Sequence, residues 1–310
     1  MSVCIIALGT PLDAKPRPWL YFEVPVLLIN ALEVKDNPRS VLQHDGKLWI
    51  DSGGYQIMRK GITIDVYDVI KIYERVNADL YFSLDVPPTP QDPLELARKK
   101  FEKSYQNWLK LSKRIEVVPV LHVYKDAKLF LEYLEKYENV PALAIGGAVP
   151  YVLTTRGASR QFAFSLIAAA RRRFKGKLHV FGLGSPAITP ILRALGIDST
   201  DTATWRLKAA YGKVLLPGGG ERHVTKREVK FGKKKPKDGE LEELYHFLRE
   251  TGFPLADAFF ERLNRFEYRA LVNAWVVLRP ERPPRPTEFR KLYNTLTNGL
   301  EKFIIKAERV

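Results

Sequence analysis

The stretch Leu48-Trp49-Ile50-Asp51-Ser52-Gly53-Gly54-Tyr55-Gln56 (residues 48–56) decides how this chain reads, because an apolar run ends there in a carboxylate and a glycine-rich turn. Outward from it the same pattern recurs. Apolar, β-branched runs lie at 3–8, 26–30, 48–50, 80–84, 117–121, 142–145, 179–181 and 197–200, each closed by glycine, proline or a polar residue. Between most of them, 65–78, 94–114, 126–138, 157–174 and 186–195 place apolar residues near the helical period, as in Phe101, Tyr105 and Trp108. Eight buried strands alternating with helices imply an α/β fold with a parallel sheet, either a closed barrel or a doubly wound sheet. The 310 residues suit a (β/α)8 TIM barrel, roughly 250 residues, plus additions.

The expected organisation is a barrel core over 1–211, a basic insert over 212–237, and C-terminal helices over 238–310 that complete and flank the barrel. The insert, GKVLLPGGGERHVTKREVKFGKKKPK, carries nine basic and two acidic residues. Segments 214–217 and 224–231 are expected to form a β-ribbon turning at Gly218-Gly219-Gly220. Three helices are expected to follow. In the last, Phe289, Leu292, Tyr293, Leu296, Leu300 and Phe303 form one apolar stripe, read as core packing.

Composition narrows the function. Fifty basic residues against 35 acidic give a net charge of +15, which favours capture of a polyanion over a merely solvated, ion-paired surface. A single cysteine, Cys4, excludes an internal disulfide and leaves no thiolate set for zinc. The N-terminus lacks the basic region of a signal peptide, and no apolar run approaches the ~18 residues that cross a bilayer. The reading is a soluble, cytoplasmic protein. No Gly-x-Gly-x-x-Gly follows the first strand, no P-loop occurs, and the five histidines make no HExxH, so neither cofactor nor metal is expected. His179 alternates within a strand and reads as structural.

Position carries more than composition. Asp51 follows the third strand, Asp85 ends the fourth, His122 the fifth, Gly146-Gly147 the sixth, Gly182 and Gly184 the seventh and Asp201 the eighth. In a parallel barrel all these ends open on the face that carries active sites. One such aspartate is usually a turn or cap residue. Three converging beside glycines point to chemistry. Two carboxylates flanking an anomeric carbon can run a double displacement, and a third can accept hydrogen bonds from a purine edge. Tyr55 and Phe181, read as ending adjacent strands, could sandwich a flat base.

DSGGYQIM (51–58) resembles the signature of the tRNA-guanine transglycosylase superfamily. LDVPPTP (84–90), AIGGAVP (144–150), FGLGSP (181–186) and GIDSTD (196–201) are similar, in order, to further motifs of that family, and NRFEYRALVNAW (264–275) is more distantly similar to its C-terminal helix. The resemblance implies that Asp201 is the nucleophile and Asp51 the general acid/base. It also implies that Asp85 reads the guanine edge, with Ser52, Gly146 and Gly147 beside the heterocycle and Tyr55 and Phe181 stacked on its faces. His122 stands where tRNA-acting members place glutamine, and the zinc ligands after the eighth strand are missing. With STDTATW at 199–205, these departures favour the DNA-modifying branch, which installs 7-deazaguanine bases. The expected partners are therefore DNA and a free 7-deazaguanine base, with a helper protein or a homodimer left open. Arg222, Lys226, Arg227, Lys230, Lys233, Lys234 and Lys235 are the expected contacts to phosphate. The alternatives are a zinc-less enzyme acting on tRNA, a non-catalytic nucleic-acid-binding barrel and a small-molecule glycosidase.

Overall fold

Strands that are apolar on both faces must be covered on both, which in this chain means a barrel interior on one side and helices on the other. The computed structural model describes residues 4–35, 37–154, 159–226 and 234–280, apart from the side chains of residues 153 and 154. The expected strands appear as β1 (Ile5–Gly9), β2 (Val26–Asn30), β3 (Lys47–Asp51), β4 (Leu80–Tyr81), β5 (Val120–His122), β6 (Ala142–Gly146), β7 (Lys177–Val180) and β8 (Ser199–Thr202). They form one sheet in the order β4-β3-β2-β1-β8-β7-β6-β5, and every pairing is parallel. The two end strands meet just outside their ladders, where the residue after β4 faces a residue before β5. Phe82 and Val118 form a parallel bridge, with Ser83 N–H donating to Val118 O at 2.9 Å and Val118 N–H to Tyr81 O at 2.8 Å. The architecture is α/β, with an eight-stranded parallel sheet compatible with a TIM-like barrel.

The described helices are α1 (Pro38–Leu42), α2 (Gly54–Lys60), α3 (Val66–Arg75), α4 (Leu94–Leu111), α5 (Ala127–Lys136), α6 (Arg160–Arg173), α7 (Thr189–Ala194), α8 (Thr204–Ala210), α9 (Glu240–Glu250), α10 (Phe259–Arg262) and α11 (Phe266–Leu278). Local chemistry sets their starts. Asp65 caps α3 by accepting from Tyr67 N–H, Asp126 caps α5 at Leu129 N–H, and Ser159 caps α6 at Phe162 N–H. Outward-facing Leu27, Ile29, Leu48 and Ile50 share a core with Val69, Ile70 and Tyr73 of α3. Leu143, Ile145, Leu178 and Val180 do the same with Phe101, Phe130, Phe164 and Ile167. Inside the sheet, Ala7, Val26, Leu28, Trp49, Phe82, Val120 and Ala144 fill the interior.

Beyond β8 the chain forms the expected ribbon, but from β9 (Lys213–Leu215) and β10 (Glu221–His223). The second strand therefore ends at His223, before the expected 224–231 segment begins. Gly218, Gly219 and Gly220 all have positive φ, so the chain reverses fully within the glycines and pairing restarts at Glu221. The ribbon is tied down by α11. Buried Asn273 accepts from Leu215 N–H at 2.7 Å and donates to Trp205 O and Lys213 O at 3.1 and 3.0 Å. One turn earlier, buried Arg269 donates to Ala209 O and Leu263 O. The 289–303 stripe lies outside the described residues. Among the described residues no helix is long and apolar enough to cross a membrane.

Candidate active site

The alternation of a strand assigns each residue of the site to a layer. On β7 and β8, His179 and Ser199 pair directly, and Phe181 and Asp201 stand one step further toward the strands' C-terminal ends. Asp201 Oδ1 accepts a hydrogen bond from Gly182 N–H at 2.7 Å and lies 3.3 Å from His179 Nε2. Phe181 packs on Phe82 and His179, with ring centroids 4.7 and 4.6 Å apart.

Asp51 closes β3 opposite Asn30 of β2. Its carboxyl is pushed up to about 8 by burial first and then by the negative charges of Asp85 and Asp201, while backbone N–H groups of Gly53 and Ser52 pull the other way. Each neighbouring carboxylate thus acts on Asp51 although the three are far apart in sequence. The expected convergence is present. Burial and the two neighbouring carboxylates thus favour the protonated form of Asp51, the form that can donate a proton.

Asp85 is held from three sides. Buried Ser52 donates from Oγ to Asp85 Oδ1 at 3.1 Å, and His122 Nε2 lies 3.1 Å from Oδ2. Gly54 completes the fit, since a Cβ there would stand 2.6 Å from the Asp85 backbone oxygen and closer still to its carboxylate. The loop bearing Asp85 is anchored by α4, where Asn107 Nδ2 donates to Leu84 O and Ser104 Oγ accepts from Val86 N–H. Gly146 lies beside His122, whose ring is buried, and Gly147 follows it. Tyr55, in the first turn of α2, is 56% exposed.

Two expectations need correction. Tyr55 follows β3 and Phe181 follows β7, which are not adjacent; three strands separate them, so the aromatics stand across the barrel mouth. Arg222, expected on phosphate, is buried and gives its guanidinium to Glu240 at the start of α9, holding that carboxyl down to about 2. Lys226, Lys234 and Lys235 are exposed, whereas Arg227, Lys230 and Lys233 lie outside the described residues.

Sequence reading missed Ser104, Asn107 and the partnership of His179 with Asp201. The first two were legible as polar residues on the buried face of an amphipathic helix. The third needed the strand register, in which His179 pairs with Ser199.

No protein-family model matches the chain. Curated relatives do. Uncharacterized protein 306 of Sulfolobus islandicus rod-shaped virus 1 is 28% identical over 253 residues, covering 81% of this chain and 75% of that protein. The tRNA-guanine(15) transglycosylase of Thermococcus onnurineus is 28% identical over 220 residues, covering 68% of this chain and 36% of that enzyme. The enzyme of the same name from Nanoarchaeum equitans is 31% identical over 186 residues, covering 57% of this chain and 44% of that enzyme. The chain thus spans between a third and a half of the transglycosylases it matches. The chain is thus similar, over about three fifths to two thirds of its length, to archaeal tRNA-guanine(15) transglycosylases.

Proposed function

We propose that this protein is a base-exchange transglycosylase that replaces guanine in DNA with a 7-deazaguanine base. The observation that carries the reading is the convergence of Asp51, Asp85 and Asp201 at one end of the parallel sheet, where burial first and then the other two carboxylates push the Asp51 carboxyl up.

In the first displacement, an Asp201 oxygen forms a bond to C1′ while the C1′–N9 bond breaks. Its electron pair passes to N9, and Asp51 supplies the proton. In the second, the ionised Asp51 takes the N9 proton of the incoming base, whose nitrogen attacks C1′ and releases Asp201. Configuration is retained and no other reactant is consumed. Asp85 accepts from the base's ring N–H and amino group, and His122 forms the adjoining wall. Tyr55 supplies one stacking face and Phe181 the facing one. The target nucleotide must leave its stack to reach this end of the barrel.

DNA is the first choice of polymer on chemical grounds. The zinc site of tRNA-acting members needs a thiolate set that these residues do not fit. The single cysteine, Cys4, is buried at the start of β1, and burial pushes its thiol up to about 12. The exposed Lys226, Lys234 and Lys235, within a chain of net charge +15, suit phosphate contacts. A second reading, exchange in tRNA, is favoured by the archaeal relatives, which are tRNA-guanine(15) transglycosylases. The test supplies labelled guanine or 7-cyano-7-deazaguanine with either duplex DNA or tRNA. Incorporation into DNA is expected; incorporation into tRNA alone overturns the polymer, and incorporation into neither overturns the exchange.

A further inference from the structure

We propose that His179 is a positioning residue for the nucleophile, holding one oxygen of Asp201 so that the other faces the sugar. The inference rests on the base-exchange reading above. It starts from strand parity. His179 and Ser199 occupy the layer directly beneath Phe181 and Asp201, and the ring spans the two layers. Nδ1 lies 3.0 Å from Ser199 Oγ and Nε2 lies 3.3 Å from Asp201 Oδ1. A carboxylate oxygen accepts only, so Nε2 carries the proton, and the Ser199 hydroxyl donates to Nδ1 in the neutral ring. The serine thereby sets the tautomer that the aspartate requires.

The ring cannot drift. It is 5% exposed and boxed by Trp49, Phe82 and Phe181 at centroid distances of 5.7, 5.0 and 4.6 Å. Oδ1 of Asp201 therefore receives two fixed donors, His179 Nε2–H and Gly182 N–H. Among the described residues none donates to Oδ2, which leaves that oxygen to attack. A histidine serving packing alone would spend its nitrogens on backbone or water away from the chemistry. Here both go to side chains of β8, one of them the nucleophile. Its contribution is the fixed angle of the carboxylate.

The test uses the full chain with a guanine-containing DNA strand and, separately, a tRNA transcript. Single-turnover formation of the denaturation-resistant adduct is measured beside guanine affinity by calorimetry. His179→Phe keeps an aromatic ring in the box but removes both hydrogen bonds. It should slow adduct formation by roughly 10- to 100-fold, the worth of a hydrogen bond to a charged group. Guanine affinity should stay within about twofold, because the base contacts Asp85 rather than this layer. His179→Gln, whose amide can still donate, should recover part of the rate. Ser199→Ala should slow it by a smaller factor. An unchanged adduct rate in His179→Phe overturns the proposal while the base-exchange reading stands. A glutamine variant no faster than phenylalanine, together with a wild-type rate for Ser199→Ala, overturns it likewise. A wild-type protein that forms no adduct with either polymer overturns both.

Discussion

Replacing Asp51 by asparagine should make the protein more stable, and more so as the pH rises. Asp51 is a half-buried carboxyl at the end of β3 whose ionisation is opposed by the loss of water around it and by the charges of Asp85 and Asp201. In the unfolded chain it titrates near the ordinary aspartate value of 3.8; in the folded protein it is pushed up to about 8. Below both values each state holds the proton and Asp51 costs nothing. Between them the unfolded state has released it and the folded state has not. Stability then falls with rising pH, by at most about 1.4 kcal/mol per pH unit for one proton. Above about 8 both states are ionised and the penalty is complete, on the order of 5 kcal/mol at full shift and less where water or side chains relax around the charge. Asparagine has nearly the same shape and does not titrate. Urea unfolding of wild type and Asp51→Asn from pH 4.5 to 8.5 reads the effect directly. The two stabilities should be close at the acid end and diverge by several kcal/mol near pH 8. Parallel profiles would mean that Asp51 ionises as readily as an exposed aspartate, and the protonated general acid would be lost.

Three further outcomes follow from contacts elsewhere. Gly54→Ala puts a methyl against the backbone and carboxylate of Asp85, and the displaced carboxylate should cost guanine affinity about tenfold or more by calorimetry. Asn273→Ala removes three buried hydrogen bonds that join the ribbon and α8 to α11. It should lower the urea-unfolding free energy by about 3 kcal/mol, since each buried group left unpaired costs ~1–3 kcal/mol. Neutralising Lys234 and Lys235 together, as glutamines, should flatten the plot of log affinity for duplex DNA against log salt by about one to two units. An unchanged slope would leave these lysines solvated.

Much of the fold was legible because the strand pattern is redundant. Eight apolar runs, each with its own stop, survive an error of one or two residues at any boundary. Asp51 and Asp201 were legible for the same reason, since being at the end of a parallel strand is enough to bring a residue to the shared face; Asp85, expected to end the fourth strand, instead lies on the loop that follows β4. Relationships between strands were harder to read. That Tyr55 and Phe181 stand across the mouth depends on sheet order, and the contact between His179 and Asp201 depends on register. Neither leaves a mark in the local spacing. The ribbon shows a further limit. Its charge pattern suggested phosphate contacts, Arg222 among them, yet Arg222 is buried against Glu240, because a short ribbon packed on the C-terminal helices has an inward face to fill.

In the proposed cycle Asp201 carries the sugar between two bases. Its most direct test is the intact mass of the protein, quenched in denaturant during incubation with guanine-containing DNA or tRNA, followed by mapping of the modified peptide. The expected result is a covalent protein–nucleic acid adduct on the peptide bearing Asp201, absent from Asp201→Asn while guanine affinity persists. An undiminished adduct in Asp201→Asn, or base exchange by the wild type with no adduct at any time, would contradict it.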